Sequence, residues 1–220
     1  MKFNSKHDGY VYQLVLDGFA EEESGSVESP TGWFAKVDLT GEHDDTALAT
    51  QIYGSPYVVL HQSNEGFVTV LGFENEAARD ARYHELDQAY SLWDAGITED
   101  EATEAIIGYR KAALWSSTDH DDTPLDSGGY SLSREAQRQM RDEVIEFIVS
   151  NVEHIRPYLE TIGEGWGQVG ADFWLTRNRH GAGFWDRGVA GPAVEALVES
   201  AHAYGAQSLM VDESGEVVIL

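Results

Sequence analysis

The apolar positions change period along the chain, and each change marks an element. From Tyr10 to Leu16 and from Trp33 to Leu39 they alternate, with Trp33, Ala35, Val37 and Leu39 on one side, the pattern of half-buried strands. The acidic run Glu21-Glu22-Glu23-Ser24-Gly25-Ser26 between them is expected as a loop. Tyr57 to His61 and Phe67 to Phe73 flank the polar stretch Gln62-Ser63-Asn64-Glu65-Gly66 and are read as a hairpin. These runs predict a small N-terminal antiparallel sheet. From about Asn75 to Asp94 the period becomes helical, with Tyr83, Leu86, Tyr90 and Trp93 on one face, and Gly96 ends the run.

Thr98 followed by Glu101 is a capping box and opens a second helix, to about Trp115. Ser116 to Ser131, with Pro124, Gly128, Gly129 and four Asp, is a long loop of the kind that carries function or disorder. Helical period resumes near Ser133, with Met140, Val144, Phe147 and Ile148 inward, and runs to about Leu159 with Pro157 as the expected kink or break. Beyond Gly163, Gly165, Gly167 and Gly170, the segments Asp172 to Arg177 and Ala182 to Asp186 read as two strands around Asn178-Arg179-His180-Gly181. Pro192 and Gly205 bracket a helix with Val194, Leu197, Val198 and Ala201 inward. A last hairpin joins Ser208 to Val211 with Glu216 to Leu220. The expected fold is α+β: a small N-terminal antiparallel sheet with a helix (1–97), then helices and a C-terminal antiparallel hairpin-helix-hairpin unit (98–220).

Composition narrows the function. The 220 residues carry 39 Asp+Glu against 14 Lys+Arg, a formal charge of −25. That disfavours direct contact with nucleic acid or an anionic membrane, which both need a basic footprint. Cysteine is absent, so thiolate chemistry, disulfides and Cys-type zinc sites are excluded. The run Val11 to Leu16 is broken by Gln13 and followed by Asp17, unlike an export signal, and no stretch approaches the ~20 apolar residues of a membrane span. A cytoplasmic protein is expected.

Three motifs invite chemistry. Gly165-Trp166-Gly167-Gln168-Val169-Gly170 matches the dinucleotide fingerprint, yet the predicted order, helix before and strand after, is the reverse of what aims backbone amides at a pyrophosphate. Asp119-His120-Asp121-Asp122 suggests a metal loop, but an EF-hand counted from Asp119 meets Pro124 where Gly is needed and Tyr130 where Glu is needed. No metal or other cofactor is expected. The densest chemistry lies in Asp172 to Gly188. If the hairpin forms, Arg177, His180, Asp186 and Arg187 gather at one end of it. Two guanidinium groups could then hold an anion, with His180 as acid or base and Asp186 orienting it. Asp172, Asn178, Ser116 and Ser117 are the further candidates for ligand binding, with Asp119 near them. The competing reading is structural: Trp and Phe pack a core, Asp172 or Asp186 pairs with Arg, and glycine permits tight turns.

Ala113-Leu-Trp-Ser-Ser117, Pro124-Leu-Asp126 and above all Asp172 to Gly188 resemble an uncharacterised domain of bacteriophages and other mobile elements. There the last stretch reads DFWLTRN-x-HGAGFWDRG. The resemblance spans about residues 104–220 and implies a phage or mobile-element origin and the cytoplasm of a bacterial host. It implies no activity. Ala171 stands where the family often has His, which counts against a two-histidine metal site, and Arg179 replaces a common Gly.

The acidity is spread evenly. Residues 1–97 hold 17 acids and 5 bases, and residues 98–220 hold 22 and 9. Duplex DNA carries one charge per ~1.7 Å, so 25 charges match about 42 Å of duplex, and mimicry of nucleic acid is arithmetically open. A background composition that favours solubility gives the same count. From Glu164 to Ala190, by contrast, three acids balance three bases. Two function classes follow. One is an acidic accessory protein that binds a host or phage protein, including a basic nucleic-acid-binding one, as a decoy in counter-defence. The other is a small-molecule or nucleotide-binding protein or hydrolase built on the neutral Asp172–Gly188 stretch.

Overall fold

The computed structural model describes residues 2–3, 21–22, 27–29, 32–38, 50, 55–63 and 67–220. The chain forms two compact units, Met1–Asp94 and Ala95–Leu220, and their secondary structure is α+β, with the sheets and helices largely segregated.

In the first unit a sheet is built from β1 (Lys2–Phe3), β2 (Glu21–Glu22), β3 (Val27–Ser29), β4 (Gly32–Asp38), β5 (Tyr57–Ser63) and β6 (Phe67–Phe73). Its order is β1-β6-β5-β4-β2, with β3 also on β4. All pairs are antiparallel except β1 with β6, where Lys2 faces Phe67. The β5–β6 hairpin forms as expected, with Tyr57 opposite Phe73 and Gln62 opposite Val68. Glu21–Glu22, expected in a loop, instead pairs with Val37–Asp38. The strand expected over Tyr10 to Leu16, and Leu39, lie outside the described residues. Val58, Val59 and Leu60 are buried in succession, so the middle of β5 is covered on both faces.

Helix α1 (Glu76–Asp94) follows β6. Its inward face is Arg79, Gln88 and Leu92, while Trp93, expected inward, is 53% exposed. Arg79 is inside because its guanidinium has partners there. It donates to the Val37 carbonyl at 3.4 Å, pairs with Asp80 at 2.9 Å and lies over the Tyr57 ring.

The second unit is mainly helical: α2 (Glu99–Ser116), α3 (Arg134–Ser150), α4 (Val152–Ile162), α5 (Trp166–Arg177) and α6 (Pro192–Ala203), with a single 3-10 turn at Phe184–Asp186. Thr98 caps α2 as the sequence predicts: its hydroxyl accepts from the Glu101 N–H at 3.2 Å and the Glu101 carboxylate accepts from the Thr98 N–H at 2.7 Å. Ser133 caps α3, and Met140, Val144, Phe147 and Ile148 are fully buried. The break expected at Pro157 falls instead at Asn151, where α3 gives way to α4; the Asn151 amide donates to the Phe147 carbonyl at 2.8 Å and to Ser200 Oγ at 2.9 Å. Pro192 opens α6 at its first turn. Three short strands complete the unit. Of these, β7 (Ser131–Leu132) joins β9 (Glu216–Ile219) in parallel, and β9 forms the expected hairpin with β8 (Leu209–Val211).

Helix α5 is central. Asp172 through Arg177 are all buried, with α2, α3, α4, α6 and the 3-10 turn around them. Its closest neighbour is α2. A Cβ at Gly108 would collide with the Gly167 carbonyl, and one at Gly170 with the Ala105 carbonyl and the Tyr109 N–H, so the two backbones meet where side chains are missing. Around this crossing Phe173 stacks on Phe147 at 4.0 Å between ring centroids, and Tyr109 meets Trp174 edge-on at 5.2 Å. The glycine run thus serves helix packing. A helix follows it, where a strand was expected, but the segment before it is helix α4 rather than the strand a dinucleotide motif requires.

Glu101 ties α2 to α5 by accepting from Trp166 Nε1 at 2.9 Å. Burial alone would raise its pKa, but hydrogen bonds from Thr98 and Trp166 and the charge of Arg156 outweigh it and hold the carboxyl below its ordinary range. A lowered folded value means that this stabilisation is complete above the unfolded value of about 4.3 and is lost as pH falls through the folded one. Glu101→Gln keeps a capping side chain but cannot titrate. In urea unfolding, the variant should be less stable than the parent at pH 7, and the gap should narrow as the pH falls below the ordinary glutamate range. Packing gives a second expectation: Gly170→Ala should cost about 2–4 kcal/mol, whereas Gly181→Ala, with no atom within 4 Å of the added methyl, should stay within about 0.5 kcal/mol.

Candidate functional site

The stretch Asp172 to Gly188 is not a hairpin. Asp172–Arg177 is the C-terminal half of α5, Asn178 caps it, Arg179 adopts a left-handed conformation (φ 56°), and Phe184–Asp186 makes the 3-10 turn. Over Asp172–Arg177 the helix is buried all round, so this half carries no solvent-facing stripe at 3.6-residue period, and the apolar run of Phe173, Trp174 and Leu175 then reads as strand. The correction separates the residues expected to converge.

Asp172 is completely buried at the α4 side of α5. Its carboxylate accepts from Tyr158 Oη at 2.6 Å, from Gln168 Nε2 at 3.0 Å, and from Arg187 in two-pronged fashion, Nη2 at 2.5 Å and Nε at 3.1 Å. Every lone pair that burial strips of water is thereby met. The Asp172 hydrogen bond raises the pKa of Arg187; burial, reinforced by Asp172, pushes the Tyr158 hydroxyl far above the tyrosine range.

Arg177, one turn and a half further on, leaves α5 in another direction and is 4% exposed. Its Nη1 donates to Tyr109 Oη and to Glu143 Oε2, each at 2.6 Å, its Nε to the Gly205 carbonyl at 2.8 Å and its Nη2 to the Tyr204 carbonyl at 3.1 Å. The rings of Phe173 and Tyr204 lie against it at 5.7 and 5.8 Å. The Tyr204 hydroxyl is pushed up to about 12 by burial and by the Glu146 and Glu143 carboxylates. The guanidinium expected to hold an anion therefore joins α2, α3, α5 and the end of α6 through bonds to protein groups.

The remaining candidates are also placed. His180 is half-buried and Asp186 exposed, and among the described residues neither side chain makes a hydrogen bond or ion pair, so they are not an acid–base couple. Asn178 donates to the Trp174 carbonyl at 3.0 Å and accepts from the Gln207 N–H at 2.8 Å, as a helix cap. Ser116 Oγ accepts from Trp174 Nε1 at 2.8 Å, and the Ser117 carbonyl accepts from the Leu125 N–H at 3.0 Å. Asp119 accepts from the N–H groups of Asp121 and Thr123 and from Tyr130 Oη, all at 2.9 Å; the Thr123 bond leads in lowering its pKa. The acidic loop is thus held by its own carboxylate, and among the described residues no group of three or more His, Asp and Glu is arranged around a metal position.

No protein-family model, no curated protein and no solved structure matches the chain. The chemistry must be read from these contacts alone, and they describe a buried ionic frame.

One feature of this unit opens to solvent beside that frame, with Gln168 and Arg187 of the frame along its edge. A groove of about 560 Å³ lies between α2 and α5, floored by Gly108 and Gly167 and walled by Ile107, Trp115 and Leu175. Trp115 is 64% and Ile107 45% exposed, and Glu104 and Lys111 stand along the same helix. The sequence carries this signal: large apolar side chains at positions 107 and 115 lie off the buried stripe of Ala102, Ala105, Tyr109 and Ala112.

If the motif is a frame, its charges matter to stability. Arg177→Ala should cost about 3–5 kcal/mol, and Arg187→Ala, which strands a fully buried carboxylate, about 2–4 kcal/mol. His180→Ala and Asp186→Ala should stay within about 0.5 kcal/mol in urea unfolding.

Proposed function

We propose that this chain is an acidic accessory protein, of phage or mobile-element origin and working in the cytoplasm of a bacterial host, that acts by binding another protein. The observation that carries the reading is where the charges sit. Residues 98–220 hold 22 acids and 9 bases; Arg177 and Arg187 are taken up in the frame with Glu143 and Asp172, while Lys111, Arg134, Arg138, Arg156 and Arg179 stay exposed. Glu99, Asp100, Asp121, Asp122, Asp126 and Glu160 remain exposed. The frame withdraws one acid for each base, so the surface keeps the acidic excess of the sequence, which favours a basic partner and fast, salt-sensitive encounter. Among the described residues no helix is long and apolar enough to cross a membrane.

The small-molecule or hydrolase reading draws less support, because Asp172, Arg177 and Arg187 are bonded to protein groups and His180 and Asp186 do not meet. A basic, nucleic-acid-binding partner competes with DNA for the same charges. Affinity capture from bacterial lysate at about 0.05 M salt should retain such a protein, release it by about 0.5 M, and release it to added duplex DNA. Retention that is indifferent to both salt and DNA would contradict the proposal.

A further inference from the structure

We propose that the groove between α2 and α5 receives a second copy of this chain, with the two α2 helices antiparallel about a two-fold axis that passes between Ile107 and Gly108. Glu104, Lys111 and Trp115 follow one another at seven and four residues, so they form a line along the exposed side of α2, with Gly108 at its edge against α5. Glu104 and Lys111 lie at equal distances on either side of the 107/108 midpoint and carry opposite charge. Both are exposed, and neither makes an ion pair with a described residue.

A two-fold interface joins a patch to itself, so it must be self-complementary. This patch is so in one orientation only. Turned end for end, Glu104 meets the second copy's lysine at 111 and Lys111 meets its glutamate at 104, whereas a parallel pair would set like charges together. In the antiparallel arrangement each Ile107 lies against the opposite groove, beside Gly108, where the backbones of α2 and α5 meet and the wall is low. The exposed area of Ile107 and Trp115 is then covered, and the two helix dipoles oppose each other favourably.

The same geometry defines what resists pairing. Each copy carries −25, and antiparallel α2 helices bring Glu99 and Asp100 of one copy toward the acidic loop after Trp115 of the other. The repulsion acts over many ångströms, while the Glu104–Lys111 pairs are in contact. The Debye length shrinks from about 10 Å at 0.1 M salt to about 3 Å at 1 M, so added salt removes the repulsion first. Self-association therefore strengthens with salt, the opposite of the behaviour expected for a basic partner.

Sedimentation velocity over about 1–300 µM protein, at about 0.1 M and 1 M NaCl, tests this. The parent should move from monomer to dimer with concentration, more completely at high salt. Glu104→Lys alone and Lys111→Glu alone should each weaken the dimer at least about tenfold. An equimolar mixture of the two variants should form a heterodimer, because each contact between positions 104 and 111 then pairs one lysine with one glutamate. The double variant should self-associate within about threefold of the parent for the same reason. Recovery in the mixture shows that both variants are folded. A parent that stays monomeric in both salts, single variants that dimerise like the parent, or a mixture that stays monomeric would overturn the proposal.

Discussion

Burying the last six residues of a helix, Asp172–Arg177, imposes a condition that the rest of the second unit meets: any ionic group on them must find its partners inside. Helix α5 carries two. Asp172 draws in Tyr158, Gln168 and Arg187, and Arg177 draws in Tyr109, Glu143 and the carbonyls of Tyr204 and Gly205. These contacts fix α2, α3, α4, the 3-10 segment and the end of α6 around α5. An uncompensated charge here would cost several kcal/mol, comparable with the whole stability of a domain, so the partners are as necessary as the charges.

The close α2–α5 crossing follows from the same enclosure. Surrounding α5 brings α2 near enough that Gly108 and Gly170 must lack side chains, and that leaves a shallow apolar floor open to solvent beside Ile107 and Trp115. The site proposed for self-association is thus a by-product of the packing that builds the core. The frame takes one carboxylate inward with each arginine, so the acidic excess of the sequence stays on the outside.

Elements with a single buried face are legible in the sequence. The β5–β6 hairpin, the capped α2, the inward stripe of α3 and the proline-led α6 all announce themselves by period and by cap residues. Helix α5 reads as strand because enclosure erases its period. The inward face of α1 is hidden for another reason: Arg79, with Val37, Asp80 and Tyr57 to receive it, replaces an apolar residue inside while Trp93 stays out. For the candidate site, the sequence indicates that Asp172, Arg177 and Arg187 matter, but their partners Tyr158, Glu143 and Tyr109 lie 14, 34 and 68 residues earlier in the chain and only the fold joins them. Four charged residues at a hairpin's tip suggest a ligand; two of them, Arg177 and Arg187, serve a frame with Asp172 around a buried helix, and His180 and Asp186 stand apart.

The central claim is that Asp172–Arg177 is the core of its unit rather than one side of an open site. Native-state hydrogen exchange of the amides from Val169 to Arg177 tests it most directly. These amides should exchange only through global unfolding, with an opening free energy equal to that from urea denaturation. Exchange through local opening at a clearly lower free energy, while α3 stays protected, would contradict it.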